Sequence, residues 1–250
     1  MPAPDGPSLP TAATDLSWPA GLDADLAAAS LALARRFNAG ATLWCWSPAW
    51  PHHAQHVAVE FVHPVIVGKR ALPAEAIAGA DPVGALRSLA APGDVILAVA
   101  AASDVDVVSV MRRAAAWGAA TIWLGTGPRP AAGGADHVLW THDPDGSATH
   151  TGDIVLLYHL LWELTHVCFE HPGLLVGRAC DEEVCVTCSD EGRLGEVVDA
   201  PVSEVATVRT AAGSEQVDTT LVGPVRSGDL VLIHAGTAID LLPDGPGGDR

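Results

Sequence analysis

Positive charge is scarce in this chain: 13 Lys and Arg stand against 30 Asp and Glu in 250 residues, a formal net charge of −17. That balance repels polyanions, so neither nucleic acid nor an anionic membrane surface is expected as a partner. Long apolar runs are missing too, since no stretch offers the roughly 18 consecutive apolar residues of a membrane span. Residues 1–18 are rich in Pro and Ala and lack the basic start and apolar middle of an export signal. The expectation is a soluble, cytoplasmic protein with a flexible leader over 1–21. Cysteine is sparse and odd in number, five in all, with Cys180, Cys185 and Cys188 close together. Without an export signal, such a cluster points to metal or redox chemistry rather than a disulfide framework.

What is present is apolar: 49% hydrophobic residues and a positive mean hydropathy argue for a folded chain with a sizeable core. Over 22–171, short β-branched runs alternate with segments of helical period. Asp25–Phe37, Ala54–Val62, Pro73–Leu89, Asp104–Trp117 and Gly152–Phe169 read as helices. Thr42–Trp46, Val65–Val67, Asp94–Val99, Thr121–Leu124 and His137–Trp140 read as buried strands. This alternation predicts an α/β layer, a parallel sheet with helices on both faces. After a linker over 172–183 the helical period disappears. Gly195–Asp199, Glu204–Thr210, Glu215–Thr219 and Asp229–Ile233 read as strands of a small all-β barrel spanning 184–242. The Gly/Pro/Asp-rich tail 243–250 reads as disordered.

Two sets of residues carry chemistry. Cys185-Val186-Thr187-Cys188 can offer two soft thiolates to one iron or zinc ion, although Asp181, Glu182, Glu183, Asp190 and Glu191 around it disfavour the thiolate form. The plainer reading is a pair of exposed linker cysteines. A third is an iron–sulfur loop from Cys180, Cys185 and Cys188, needing Cys168 or Cys45 as fourth ligand. The second set is His56 and Glu60, one turn apart on one helix face. The plainer reading is that His56, like His159 on the last helix, is an ordinary polar residue at a helix interface.

The C-terminal segment resembles the HypC/HupF family of [NiFe]-hydrogenase maturation chaperones. The resemblance rests on Asp218–Pro224 and on Gly228-Asp229-Leu230-Val231-Leu232-Ile233-His234-Ala235-Gly236-Thr237-Ala238-Ile239, and it covers roughly 185–242. It implies an OB-like barrel that scaffolds iron as a transient Fe(CN)2CO unit, relayed with a HypD-type maturation protein to the hydrogenase large-subunit precursor. The implied iron ligand is Cys185 or Cys188, with His234 close by. Because the cysteine is internal here, only its thiolate can serve.

The larger segment, about 22–170, resembles SIS (sugar isomerase) domains of the phosphoheptose-isomerase branch. The residues concerned are Ala54–Phe61, Pro92–Leu97, Ala135–Leu139 and Leu156–Leu164. The resemblance implies a zinc site in which His56, Glu60 and His159 match three ligands while Thr151 stands where the branch has Gln. His52, His53 and Cys45 are nearby candidates for a replacement. It also implies phosphate-binding turns, but Pro48-Ala49-Trp50 and Ala100-Ala101-Ala102 replace their Gly, Ser and Thr residues. Asp104 and Asp106 follow, where they would cap the next helix and repel phosphate. Trp44, Trp46 and Trp50 read as core or subunit interface, and a homodimer is expected by analogy.

The combined expectation is a hydrogenase maturation factor, a metallochaperone more than an enzyme, whose SIS-like part gives dimerisation, docking or a metal site. The alternative is a zinc-dependent SIS-family isomerase or sugar-sensing regulator with an accessory HypC-like part.

Overall fold

The computed structural model describes residues 18–141, 152–176, 192–200 and 204–243. Helix α1 (Leu22–Asn38) carries Leu22, Leu26, Ala29, Leu33 and Phe37 on one buried stripe, the spacing by which an amphipathic helix seats on a core. There follow β1 (Leu43–Trp46), α2 (Pro51–Val62), β2 (Ala74–Ala76), α3 (Pro82–Leu89), β3 (Val95–Val99), α4 (Val105–Trp117), β4 (Ala120–Thr126), β5 (His137–Thr141) and α5 (Gly152–Glu170). The five strands form one parallel sheet in the order β2-β1-β3-β4-β5. Leu43 pairs with Val95, and Val95 with Ala120.

Alternation along the strands sorts side chains onto two faces. Leu43, Cys45, Val95, Leu97 and Val99 pack against α1, α2 and α5. Trp44, Trp46, Ile96 and Ala98 pack against α3 and α4. The tryptophans Trp44 and Trp46 are therefore core, while Trp50 is half-buried just before α2. Asp94 draws the starts of β1 and β3 together, its carboxylate accepting from Thr42 N (2.8 Å), Trp44 Nε1 (2.9 Å) and Ala91 N (2.9 Å). Asp136 does the same for β4 and β5, accepting from Thr121 N and Thr121 Oγ1.

Two elements differ from expectation. Val65, Ile66 and Val67 are no strand; they sit exposed in the turn after α2, between Pro64 and the left-handed Gly68. Three β-branched residues with no sheet edge in reach cannot form a ladder. The edge strand is instead Ala74-Glu75-Ala76, inside the segment that reads as helical, and it is fixed by pairing with Leu43-Trp44-Cys45 rather than by its own propensity. The helix starts later, at Pro82, where the Asp81 side chain accepts from Gly84 N at 2.8 Å.

The second part is a mixed sheet of β6 (Arg193–Asp199), β7 (Val205–Thr210), β8 (Gly213–Asp218), β9 (Leu230–His234) and β10 (Thr237–Leu242). Four of these were expected; β10 is the fifth. The strand order is cyclic, β10-β8-β7-β6-β9, with β9 antiparallel to β10 and β8 meeting β10 through the single pair Asp218 and Thr237. Val197, Ala206, Val208, Val217, Val231, Ile233 and Ala238 fill the inside. Packing there is tight: a Cβ on Gly195 would collide with Val208 Cγ1 and Ile233 Cδ1. The β9–β10 turn is Ala235-Gly236, with φ of 49° and 80°, the left-handed pair that matches strand twist in a two-residue hairpin.

The two sheets share packing. Leu230 belongs to the apolar cluster built on α4, and Leu194 and Leu242 pack against it. Among the described residues no helix is long and apolar enough to cross a membrane.

Candidate metal centre

Helix α2 begins with Pro51 at its first turn, where a fixed φ and a missing N–H cost nothing. Its inner face, Ala54, Val57, Ala58 and Phe61, is buried. That orientation turns His56 and Glu60 toward the seam with α5. The seam is fixed by Trp162, whose Nε1 donates to the Glu60 carbonyl at 2.8 Å. On the preceding turn of α5 this brings His159 alongside.

Glu60 Oε1 lies 3.3 Å from His56 Nε2 and 3.6 Å from His159 Nε2. The two imidazoles meet edge to face with centroids 5.0 Å apart. One ligand atom from each residue falls within 4.8 Å of the others. Each far ring nitrogen is held: His159 Nδ1 is 2.7 Å from the Val155 carbonyl, and His56 Nδ1 is 2.9 Å from Tyr158 Oη. Side-chain exposures of 39% for His56, 36% for His159 and 19% for Glu60 leave one side open. Two imidazoles and a carboxylate, with outer partners on both rings and an accessible side, fit a zinc or ferrous ion that keeps an open position.

Tyr158 is the residue that sequence reasoning missed. Its ring is buried in the core beneath α2, and its hydroxyl also reaches His53 Nδ1 at 3.5 Å. Burial first, and then the Glu60 charge, push its pKa up to about 12, so the hydroxyl is protonated at neutral pH. A tyrosine beside a histidine in an apolar helix reads as core. Its contact with a residue 102 positions earlier is not written in either helix alone.

The other candidates fall elsewhere. Cys45 is fully buried in the α/β core, where burial pushes its thiol far up, so it is no replacement ligand and no fourth ligand of an iron–sulfur loop. His53 lies behind Tyr158, and His52 is exposed on the outer side of α2. His234 ends β9, paired with Thr237 across the hairpin. Thr151, Cys180, Cys185 and Cys188 lie outside the described residues.

The turns that would receive a phosphate have their donors engaged. After β1, the buried Ser47 hydroxyl donates to the Val99 carbonyl at 2.7 Å. After β3, Asp104 caps α4, its Oδ1 accepting from Asp106 N (3.2 Å) and Val107 N (3.1 Å). A carboxylate already occupies the helix end where an anion would seat.

No protein-family model matches the chain, and no curated protein matches it. Among solved structures, a phosphoheptose isomerase from Francisella tularensis matches with a TM-score of 0.52 at 18% identity, over 59% of this chain and 88% of that one. A phosphoheptose isomerase from Neisseria gonorrhoeae matches with a TM-score of 0.47 at 19% identity, over 58% of this chain and 86% of that one. The first likeness establishes a shared SIS fold for the α/β part. It does not extend to the HypC/HupF pattern of the second sheet.

Proposed function

We propose that this protein is a metal-dependent member of the SIS fold that binds a small hydroxy-carbonyl compound of sugar type, without a phosphate, at His56, Glu60 and His159. The observation that carries the reading is the convergence of three ligand atoms within 4.8 Å across two helices of that fold. A zinc or ferrous ion held there would supply a Lewis acid for a carbonyl or hydroxyl oxygen. The chain's own residues do the rest. Glu60, the least exposed of the three, places its charge between the imidazoles, and the Trp162 bond to its carbonyl fixes the helix that bears it. Asp104 and Asp106 at the start of α4 oppose a phosphorylated ligand, and the engaged Ser47 offers it no donor. Isomerisation and sensing of such a ligand both use this arrangement.

The experiment is metal analysis and thermal shift on the purified full-length chain. About one zinc per chain, lost in His56→Ala, is expected, with protection by an unphosphorylated heptose or hexose. Zinc content unchanged by His56→Ala overturns the centre. Protection that requires the phosphate group overturns the ligand class.

A second reading is favoured by one feature of the other sheet. The HypC/HupF-like pattern falls as strand, turn and hairpin: Asp218 closes β8, Gly223 and Gly228 take φ of 76° and 91°, and His234 closes β9 before β10. On this reading the cyclic sheet is an OB-like scaffold. Cys185 or Cys188, with His234, carries the Fe(CN)2CO cargo from a HypD-type protein to a hydrogenase large-subunit precursor, and the SIS part dimerises or docks. Cyanide and carbonyl infrared bands on anaerobically purified protein co-expressed with the accessory proteins, absent in Cys185→Ser or Cys188→Ser, are its expected signature. Iron-free protein with no such bands sinks it.

A further inference from the structure

The two histidines of the centre are held in unequal ways. His159 Nδ1 faces the Val155 carbonyl at 2.7 Å. A carbonyl can only accept, so the proton of His159 sits on Nδ1 and the lone pair on Nε2 is free to ligate. His56 Nδ1 instead faces Tyr158 Oη at 2.9 Å. A hydroxyl can give or take, so this contact is compatible with either tautomer of His56. Without an ion, His56 can donate from Nε2 to Glu60 Oε1 at 3.3 Å while Tyr158 donates to Nδ1. To ligate through Nε2 it must shift its proton to Nδ1 and donate to Tyr158 Oη. The Tyr158 proton must then turn elsewhere, and His53 Nδ1 at 3.5 Å can accept it when that ring carries its own proton on Nε2.

We infer that Tyr158, the only tyrosine of the chain, is the positioning residue of the centre, a reversible hydroxyl rotor that sets the His56 tautomer by pointing toward His56 or toward His53. The inference rests on the metal-centre reading above and adds to it which residue prepares the ligand and how. The rotor has one wall of apolar core, with the Tyr158 ring 2% exposed, and two imidazoles at its tip, 5.2 Å and 5.9 Å from it by ring centroids. The hydroxyl thus meets a ring nitrogen of each histidine, His56 Nδ1 at 2.9 Å and His53 Nδ1 at 3.5 Å. His159 needs no such device, because the backbone carbonyl has already fixed it.

The test uses Tyr158→Phe, which keeps the ring in the core and removes only the hydroxyl. Zinc affinity, read by competition with a chelating dye, is expected to fall about 10–100-fold, the range found for outer partners of metal-bound histidines. The melting temperature of the zinc-free variant is expected to stay close to wild type, which a merely structural role for the hydroxyl would not allow. Zinc affinity within twofold of wild type overturns the inference while leaving the centre standing. Wild-type protein with no His56-dependent zinc overturns both. A second measurement needs no variant: in zinc-loaded wild type, nitrogen NMR of the histidine rings should show the His56 proton on Nδ1. A proton on Nε2 in the zinc-loaded protein, or one already on Nδ1 in the zinc-free protein, overturns the inference even if Tyr158→Phe fails to fold.

Discussion

Lys69 sits in the turn after α2 and reaches two carboxylates on α5, Glu170 at 2.8 Å and Glu163 at 3.4 Å. Only 11% of its side chain is exposed. Its hydrogen bond to Glu170 outweighs burial and raises its pKa, and the same bond is the main cause lowering that of Glu170. The lysine's contribution is complete below the ordinary lysine range and fades as pH rises through its raised folded value. The glutamate's contribution is complete above the ordinary carboxylate range and fades as pH falls through its lowered folded value. The pair therefore stabilises across the neutral range and weakens at both ends. Lys69→Met should lower the melting temperature by about 1–3 °C at neutral pH. That difference should shrink as the buffer is acidified through the lowered folded value of Glu170. A difference that is unchanged at low pH would mean the lysine acts through its aliphatic stem instead.

Helix α4 illustrates how an element's end decides what it can bind. Asp104 precedes it and takes up the N–H groups of Asp106 and Val107, while Gly118 closes it at φ 74°. A Cβ at Gly118 would meet Pro92 Cα at 3.0 Å, so both backbone angle and space reserve that position for glycine. At the start, Asp104→Ala frees two donors and should cost about 1 kcal/mol in chemical denaturation. If Asp104 is also what turns phosphate away, this variant should gain measurable protection from a sugar phosphate that wild type lacks. No gain would mean that Asp104 does not exclude phosphate. Helix α5 makes a related point, since its residues Tyr158, His159 and Trp162 serve core, centre and seam in turn. Its apolar pattern announces a buried helix and says nothing of which polar atoms its partners will meet.

Across the whole molecule the two sheets are joined by a buried charge. Glu196 on β6 is 2% exposed and faces Arg87 of α3 at 2.7 Å and Arg113 of α4 at 3.3 Å. Trp117 Nε1 donates to its other oxygen at 2.7 Å. Arg209 of β7 donates to the carbonyls of Arg87 and Ala90 at the end of α3, and lies over the Trp117 ring. Removing one member of such a set leaves guanidinium charge uncompensated, a loss of about 3–5 kcal/mol when a buried ion pair is broken. Glu196→Gln should therefore destabilise the α/β part as well as the second sheet, and wild type should unfold in one calorimetric transition. Two separate transitions in wild type, with Glu196→Gln moving only one, would mean the sheets are independent. The sequence gives no warning of this junction, because Arg87, Arg113, Glu196 and Arg209 each read as surface charges on their own elements.

The sequence by itself determined the α/β alternation, most element positions and the four main strands of the second sheet. These rest on periodicity, on helix and turn punctuation, and on motif order, all of which are local along the chain. It misjudged Val65–Val67 and Ala74–Ala76, because an edge strand is made by the neighbour it pairs with rather than by its own side chains. Only the tertiary structure decided that Tyr158 stands against His56, that Cys45 is sealed in the core, and that Glu196 joins the two sheets. Each of these is a meeting of side chains far apart in sequence, fixed by helix packing and strand register. Spacing along one element can orient a residue, but only packing between elements determines what it touches.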